Sequence, residues 1–483
     1  MVERAAYLPG IDPADVEWKT LSYDNAGCTV DVEVPALSED EMTALAARIR
    51  QARQENLVPR PVGEIVDIVD RAVARLLDRK DPLRRKAEEL LPLVTGYDAE
   101  MVRLGLTRYL KTFRKPELKR FLAEDFTNPA ILDGFQPLAK GGIGRAYGPP
   151  ILAHIWAGNV PALPVWSFVA GLLVKAGNIG KVPSAEPLFA GWFAQAVAEA
   201  EPDLADCFAI VWWQGGDEER ENALLCEADT LLAYGGNASL EAIRSRLPIT
   251  TRYLPYGHKV SFGVVASSAL DTRWGPRIAR LAAKDVVQYD QQGCYSPHLF
   301  FVERGGRVDP REFARLMANE LSNFEKKYPR RALSPAEAGT VARWRQSAEM
   351  KSFLGNDNEI LGDAAGAWSV AYEDVPTDLV PSGLNRTVKI VAVDRLDEIT
   401  DLVSPYRDVL QTVGIAATPE ELYALSDVLG VAGVTRICAL GHMTAPEAGW
   451  HHDGRFNLLD LVTMTEIERS SEIAADDLAP YRD

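Results

Sequence analysis

Apolar and polar positions recur along this chain with two different periods. From Ser38 to Phe126 the sequence is dense in Ala, Leu, Arg, Lys and Glu at helical spacing. Ile65, Ile68, Val69, Ala72 and Leu76 fall on one face of an amphipathic helix. This predicts a helical N-terminal section. From about Gly141 to Val265, short apolar runs alternate with helical stretches. Strands are expected at 151–156, 179–182, 207–213, 231–234 and 260–265. Helices are expected at 165–176, with Gly177-Asn178 as C-cap, at 188–200, and from Asn237 through Arg244.

Strand and helix in alternation imply a parallel sheet covered on both faces. Such sheets take ligands at the carboxyl ends of their strands, where Gly-rich turns leave backbone N–H groups free. Residues 271–434 are mixed, with strands expected at 299–302 and 388–393 and loops at 304–307 and 376–385. A polar stretch, Trp450-His451-His452-Asp453-Gly454, lies near the end.

Charge narrows the function. The chain has 483 residues, with 52 Lys and Arg against 69 Asp and Glu, a net −17. A duplex-binding protein carries a basic face, so nucleic acid is not an expected partner. The nearest basic run, Lys111 to Lys119, reads as a solvated helix face. It could also meet an acidic partner such as a coenzyme A phosphate or an acyl carrier protein. The longest apolar run, 160–174, contains two prolines, stops at Lys175 and is too short to span a bilayer. The start, Met1-Val2-Glu3-Arg4, is charged and has no apolar targeting segment. Five cysteines without a CxxC pair suggest neither a zinc site nor a disulfide framework. The expectation is a reduced, cytoplasmic protein with no metal.

Cys294 is the most informative cysteine. It lies in Asp290-Gln291-Gln292-Gly293-Cys294-Tyr295-Ser296-Pro297, where a small neighbour and polar residues suit a reachable thiolate. The other reading is a small buried hydrophobe. His298 four residues on could form a Cys/His pair, or simply start the following strand. Asn159 follows the strand at 151–156, where its amide could donate to an oxyanion or serve a turn. Gly235-Gly236-Asn237-Ala238-Ser239 is a strand–Gly–helix turn without the full GxGxxG pattern. Lys181 ends a strand in Gly180-Lys181-Val182-Pro183-Ser184 and could neutralise a phosphate. His451 and His452 are adjacent, so they point apart on a strand and suit no shared metal.

In this order the pieces resemble the aldehyde dehydrogenase superfamily, and more closely its LuxC-like fatty acyl-CoA reductases. The broader resemblance rests on Asn159, then 176–184, then Gly215-Gly216, Gly235-Gly236 and Cys294. The narrower one rests on 290–297, on Gly257-His258-Lys259-Val260-Ser261-Phe262, and on 450–454. It implies a Rossmann-type parallel-sheet cofactor domain, a second α/β catalytic domain and a helical N-terminal section. The expected division is 1–262, 263–435, and a C-terminal segment 436–483 that packs back on the cofactor domain or serves oligomerisation.

The resemblance implies Cys294 as nucleophile and Asn159 as oxyanion donor. It places the cofactor on Lys181, Pro183, Ser184, Gly216, Gly235, Gly236 and Ser239. The general-base Glu of hydrolytic relatives is matched by Pro255. A base is needed to hydrolyse an acyl-enzyme, not to reduce one. The implied activity is therefore reduction of a fatty acyl-CoA or acyl-carrier-protein thioester to the aldehyde. An oxidising aldehyde dehydrogenase and a Cys294/His298 acyltransferase or thioesterase are the alternatives. The ribose-binding Glu of NAD-preferring relatives is matched by Ser184 or Ala185. That implies NADPH, with Glu186 keeping NADH open. A homo-oligomer is also implied.

Overall fold

A computed structural model describes residues 2–25, 27–353, 357–376 and 379–480. The N-terminal section is helical, with Glu39–Ala52, Val62–Leu77, Pro82–Thr95, Ala99–Lys111 and Lys115–Asp125. The expected apolar face of Val62–Leu77 is fully inside, with Ile65, Ile68, Val69, Ala72 and Leu76 all at or below 2% exposure. The basic run divides between two of these helices. Arg114 and Lys115 pair with Asp70 and Asp67, so half of it is a solvated, ion-paired face. Before it, Trp18–Asn25 and Cys28–Pro35 form a hairpin, with Val2–Arg4 parallel to its second strand.

The first sheet has five parallel strands. Across the sheet they run Arg252–Tyr256, Thr230–Tyr234, Ile151–Ile155, Gly177–Lys181 and Phe208–Val211. The chain winds outward from Ile151–Ile155 in one direction, then returns to its other side with Thr230–Tyr234. That reversal puts a crevice between the carboxyl ends of these two strands, the usual ligand position on such sheets. Asn159 follows one of them and Gly235-Gly236 the other.

Two local expectations change. The helix predicted at 165–176 is Val165–Leu173, and Lys175, at φ 61°, makes the left-handed exit. Gly177-Asn178 is no cap but opens the strand Gly177–Lys181. A Cβ at Gly177 would meet Ile49 Cγ2 at 2.7 Å and the Pro150 carbonyl at 2.8 Å, so close packing explains that glycine. The strand predicted to close the first series, Val260–Val265, lies in the middle of the second sheet. The first sheet closes with Arg252–Tyr256 instead, and the crossing occurs at Gly257-His258-Lys259. A boundary at 262 would cut a strand that hydrogen-bonds on both sides.

The second sheet runs Glu359–Gly362, Ser369–Glu373, Thr387–Val393, Pro297–Glu303, Val260–Val265, Leu410–Ala416 and Arg436–Ala439. Its pairs are parallel except the first. Arg436–Ala439 belongs to it, so the C-terminal segment begins later than 436. Thr463–Ile467 then pairs antiparallel with Ile143–Tyr147, which lies ahead of the first sheet in the chain. Residues 304–307 form a turn and 379–385 are irregular; the remainder of the predicted 376–385 loop includes 377 and 378, outside the described residues. Among the described residues no helix is long and apolar enough to cross a membrane.

Candidate active site

Cys294 stands just before the strand Pro297–Glu303, at the amino end of the second sheet. Its backbone carbonyl accepts from Ser261 Oγ at 2.9 Å, and that hydroxyl accepts from the Thr412 N–H at 3.1 Å. Gln411 Nε2 donates to Cys294 Sγ at 3.4 Å and to Asp453 Oδ1 at 2.6 Å. Lys259 Nζ lies 4.0 Å from Asp453 Oδ2. Burial pushes the Cys294 thiol up to about 11 and Asp453 adds to this, while the Gln411 hydrogen bond works against them.

The segment leading to Cys294 has an unusual backbone. Tyr289, Asp290 and Gln291 all have positive φ, and so do Leu384, Asn385 and Arg386. None is glycine, and each such residue costs roughly 1–2 kcal/mol. The two triplets brace each other. The Asn385 N–H donates to the Asp290 carbonyl at 3.0 Å, Gln292 Nε2 donates to Asn385 Oδ1 at 3.0 Å, and Arg386 Nε donates to Asp290 Oδ1 at 2.7 Å.

Asn159 joins this loop. Its Nδ2 donates to the Gln292 carbonyl at 2.5 Å, leaving the second amide hydrogen free. Tyr97 Oη lies 2.8 Å from the Asn159 carbonyl and 3.3 Å from that of Tyr289, tying both loops to the N-terminal section. The predicted nucleophile and oxyanion donor are thus brought together through Gln292.

A cavity opens beside Cys294. Trp166, Tyr234, Tyr289, Tyr295, Trp450 and His452 are among its walls. The helix Ala99–Lys111 supplies Gly105, Arg108 and Tyr109. Phe121 packs edge-on to Trp166 at 5.2 Å, so the N-terminal helices hold the pocket's shape. Trp156 faces elsewhere, donating to Ser167 Oγ at 2.8 Å. His452 stacks on Tyr256 at 4.5 Å, and burial lowers it to about 4, so it is neutral. His451 packs instead on Phe456, and no metal-binding cluster occurs among the described residues.

The alternative partner His298 is occupied elsewhere. Its Nδ1 accepts from the Ser382 N–H at 3.1 Å, and burial keeps it neutral. No Cys294–His298 hydrogen bond is present among the described residues.

The predicted cofactor residues gather at the first sheet. Lys181 ends Gly177–Lys181 with its ammonium over the Trp213 ring at 5.8 Å, and burial lowers its pKa. Ser184 Oγ accepts from Trp212 Nε1 at 3.1 Å. Pro183 lies against Gly158, where a Cβ would meet its Cγ at 2.9 Å. Nothing lies within 4 Å of where Cβ atoms at Gly215, Gly216 and Gly236 would sit. Gly236 caps Asn237–Arg244 without a side-chain bond, leaving the helix's first N–H groups available to an anion. Ser239, in that first turn, is exposed, and Gly235 precedes the cap. The open glycines, free helix N-terminus and strand-end cation fit a dinucleotide. Glu186 does not: its Oε1 accepts from the Leu188 and Phe189 N–H groups at 2.9 Å each, and it is buried.

The family model for acyl-CoA reductase (LuxC) matches residues 57–464. The chain belongs to this family. The long-chain acyl-protein thioester reductase of Photorhabdus luminescens is 26% identical over 394 residues, covering 80% of this chain and 77% of that protein. That of Vibrio harveyi is 23% identical over 408 residues, covering 83% and 82%. Among solved structures, an aldehyde dehydrogenase from Brucella melitensis biovar abortus 2308 superposes with TM-score 0.71 at 14% identity, covering 95% of each chain. A glyceraldehyde-3-phosphate dehydrogenase from Methanocaldococcus jannaschii, complexed with NADP, gives 0.68 at 13% identity, over 90% of this chain and 95% of that one. The aldehyde dehydrogenase fold expected from sequence is therefore present, and membership of the LuxC family supports aldehyde-forming thioester reduction over oxidation. The structure also joins the three segments of the narrower resemblance around Cys294: Ser261 holds its carbonyl, and Asp453, with Lys259 beside it, holds the Gln411 amide that reaches its sulfur. Sequence reasoning did not single out Gln411, a lone polar amide in an apolar run.

Proposed function

We propose that this chain reduces an acyl thioester to the aldehyde through an acyl-enzyme on Cys294, with NADPH as reductant. The observation that carries this is Cys294 at the wall of an aromatic-lined cavity, with Asn159 anchored on the same loop. Its apolar, aromatic walls suit an acyl chain, and each buried methylene contributes about 0.8 kcal/mol.

The Cys294 thiolate attacks the thioester carbonyl carbon. Asn159 and the Cys294 backbone N–H receive the charge that develops on oxygen. The oxyanion collapses, the original C–S bond breaks, and the donor leaves as a thiolate, carrying the charge that Cys294 brought. The acyl-enzyme is then ready for reduction. A nicotinamide held by Lys181, Ser184 and the N-terminus at Gly236 supplies hydride chemistry when bound. Cys294 finally leaves as thiolate and frees the aldehyde. Hydrolysis is disfavoured because Pro255 stands where hydrolytic relatives carry their base. Asp453, the carboxylate near the sulfur, is engaged by Gln411 and Lys259.

NADPH is favoured over NADH because Ser184 and Ala185 are small and Glu186 is turned to the backbone. The relatives' names specify acyl-protein donors, which supports a carrier- or partner-borne acyl group here; a coenzyme A ester is the other source. Exposed Met464, Ile473 and Leu478 on the C-terminal arm support a homo-oligomer.

The test is NADPH absorbance with purified protein and acyl thioesters of increasing length, on coenzyme A and on a carrier protein. Matching aldehyde with NADPH consumed supports the proposal. Free acid without NADPH consumption overturns it.

A further inference from the structure

Gln411 is 1% exposed and stands at the start of Leu410–Ala416, held by its own backbone carbonyl to the Thr435 N–H at 3.0 Å. One side-chain nitrogen reaches both Cys294 Sγ and Asp453 Oδ1. The amide oxygen, Oε1, is buried without a partner among the described residues. An amide has two orientations, and the partners choose between them. A carboxylate only accepts, so Asp453 draws the NH₂ side toward itself. The Lys259 ammonium lies 4.0 Å from the other oxygen of that carboxylate. The carboxylate in turn leaves Oε1 unpaired, a cost of about 1–3 kcal/mol for a buried acceptor. An orientation retained at that cost presents a donor, and a donor suits a sulfur that must carry negative charge.

We propose that Gln411 is a catalytic donor to the Cys294 sulfur, aimed by Asp453 as positioning residue so that an N–H rather than the carbonyl faces the nucleophile. This rests on Cys294 being the nucleophile. The N–H favours the thiolate before attack and again when Cys294 leaves the aldehyde carbon. A flipped amide would present Oε1, which favours the neutral thiol.

The titratable groups lining the cavity with Cys294 are Arg108, Tyr109, Tyr234, Tyr289, Tyr295 and His452, with Asp453 and Lys259 behind Gln411. The four tyrosines are raised by burial and His452 is neutral; Asp453 is the charge that opposes the thiolate. Asp453 therefore acts in two opposed ways: its charge disfavours the thiolate directly, and its grip on Gln411 favours it. A double-mutant cycle separates them.

The experiment titrates the Cys294 thiolate by ultraviolet absorbance, taken as the difference from Cys294→Ser, in wild type, Gln411→Met, Asp453→Asn and the double variant. Gln411→Met keeps volume and removes the donor. It should raise the midpoint by about one pH unit or more, since a hydrogen bond to a charged group contributes about 1.5–3 kcal/mol. At a fixed pH below the midpoint this is about tenfold less thiolate. In the Gln411→Met background only the charge remains, so Asp453→Asn should lower the midpoint. In the wild-type background the same substitution also frees the amide to flip, so its effect should lie higher by at least half a pH unit. Equal effects in both backgrounds, or an unmoved midpoint in Gln411→Met, would overturn the proposal. Gln411→Glu replaces Gln411→Met if the latter unfolds, and should raise the midpoint further. Whether Cys294 is acylated at all is read separately by intact mass in wild type, so loss of the nucleophile assignment and loss of the Gln411 role are distinguishable.

Discussion

Arg386 and Asp290, four residues before Cys294, form an ion pair at 2.7 Å with side chains 0% and 1% exposed. Arg386 also reaches Glu325 Oε2 at 2.6 Å, and Asp290 Oδ2 accepts from the Arg331 N–H at 3.2 Å. Both residues of the pair are left-handed, and four more left-handed residues flank them. Breaking one partner of a buried pair leaves an uncompensated charge and costs about 3–5 kcal/mol. Asp290→Asn should therefore lower stability by that order, read from denaturant midpoints. Acylation of Cys294 should slow even at temperatures where the variant stays folded, because the loop relaxes.

If the cavity beside Cys294 holds the acyl chain, filling it limits chain length. Thr112→Trp fills space lined by Ala99–Lys111 and 445–446. Excluding about four methylenes at about 0.8 kcal/mol each costs about 3 kcal/mol, or two orders of magnitude in kcat/KM. Long acyl donors should lose this much and short ones little. Equal losses across chain lengths would contradict the assignment of the cavity to the acyl chain.

Lys181 distinguishes the two cofactors. If it pairs with the 2′-phosphate, Lys181→Met should raise KM for NADPH about ten- to hundredfold, the worth of one charge-assisted hydrogen bond. KM for NADH should barely change. A parallel rise for both would place Lys181 elsewhere.

Glu186 makes stability depend on pH. Burial pushes its carboxyl up from 4.5 to about 7. The folded chain then holds a proton that the unfolded chain has lost, so stability falls as pH rises from about 4.5 to 7 and stays lower above. Asp285, also pushed up to about 7, acts in the same direction. Glu186→Gln removes the Glu186 share, about 3 kcal/mol by the size of its shift. Denaturant midpoints across this range should fall less steeply in the variant. Glu186→Gln with an unchanged slope would contradict the buried carboxyl.

The sequence carried the parts that depend on local pattern. The amphipathic face of Val62–Leu77 and the Gly-rich turn at Gly235-Gly236 both stand where periodicity and turn chemistry put them. Cys294 and Asn159 were legible through their order along the chain, and the structure links them through one carbonyl. The N-terminal hairpin had a signal, Val30, Val32 and Val34 alternating with Asp31 and Glu33, that was not read. The strand Val260–Val265 misled because a continuous apolar run does not say which sheet it joins. Gln411 gave no signal, since its role depends on Asp453 42 residues away in sequence. The left-handed triplets were hidden for a related reason: none contains glycine, and only the packing of 289–291 on 384–386 holds them. The contribution of Ala99–Lys111 to the acyl cavity likewise exists only in the folded chain.

The most direct test of the central claim is intact-mass analysis of the protein mixed with a long-chain acyl thioester, before and after NADPH is added. The account expects an adduct of one acyl group in wild type, none in Cys294→Ala, and formation slowed in Asn159→Ala, with turnover about 10²–10³-fold lower. Adding NADPH should clear the adduct and release the aldehyde. An adduct that persists in Cys294→Ala, or one that clears to free acid without consuming NADPH, would contradict it.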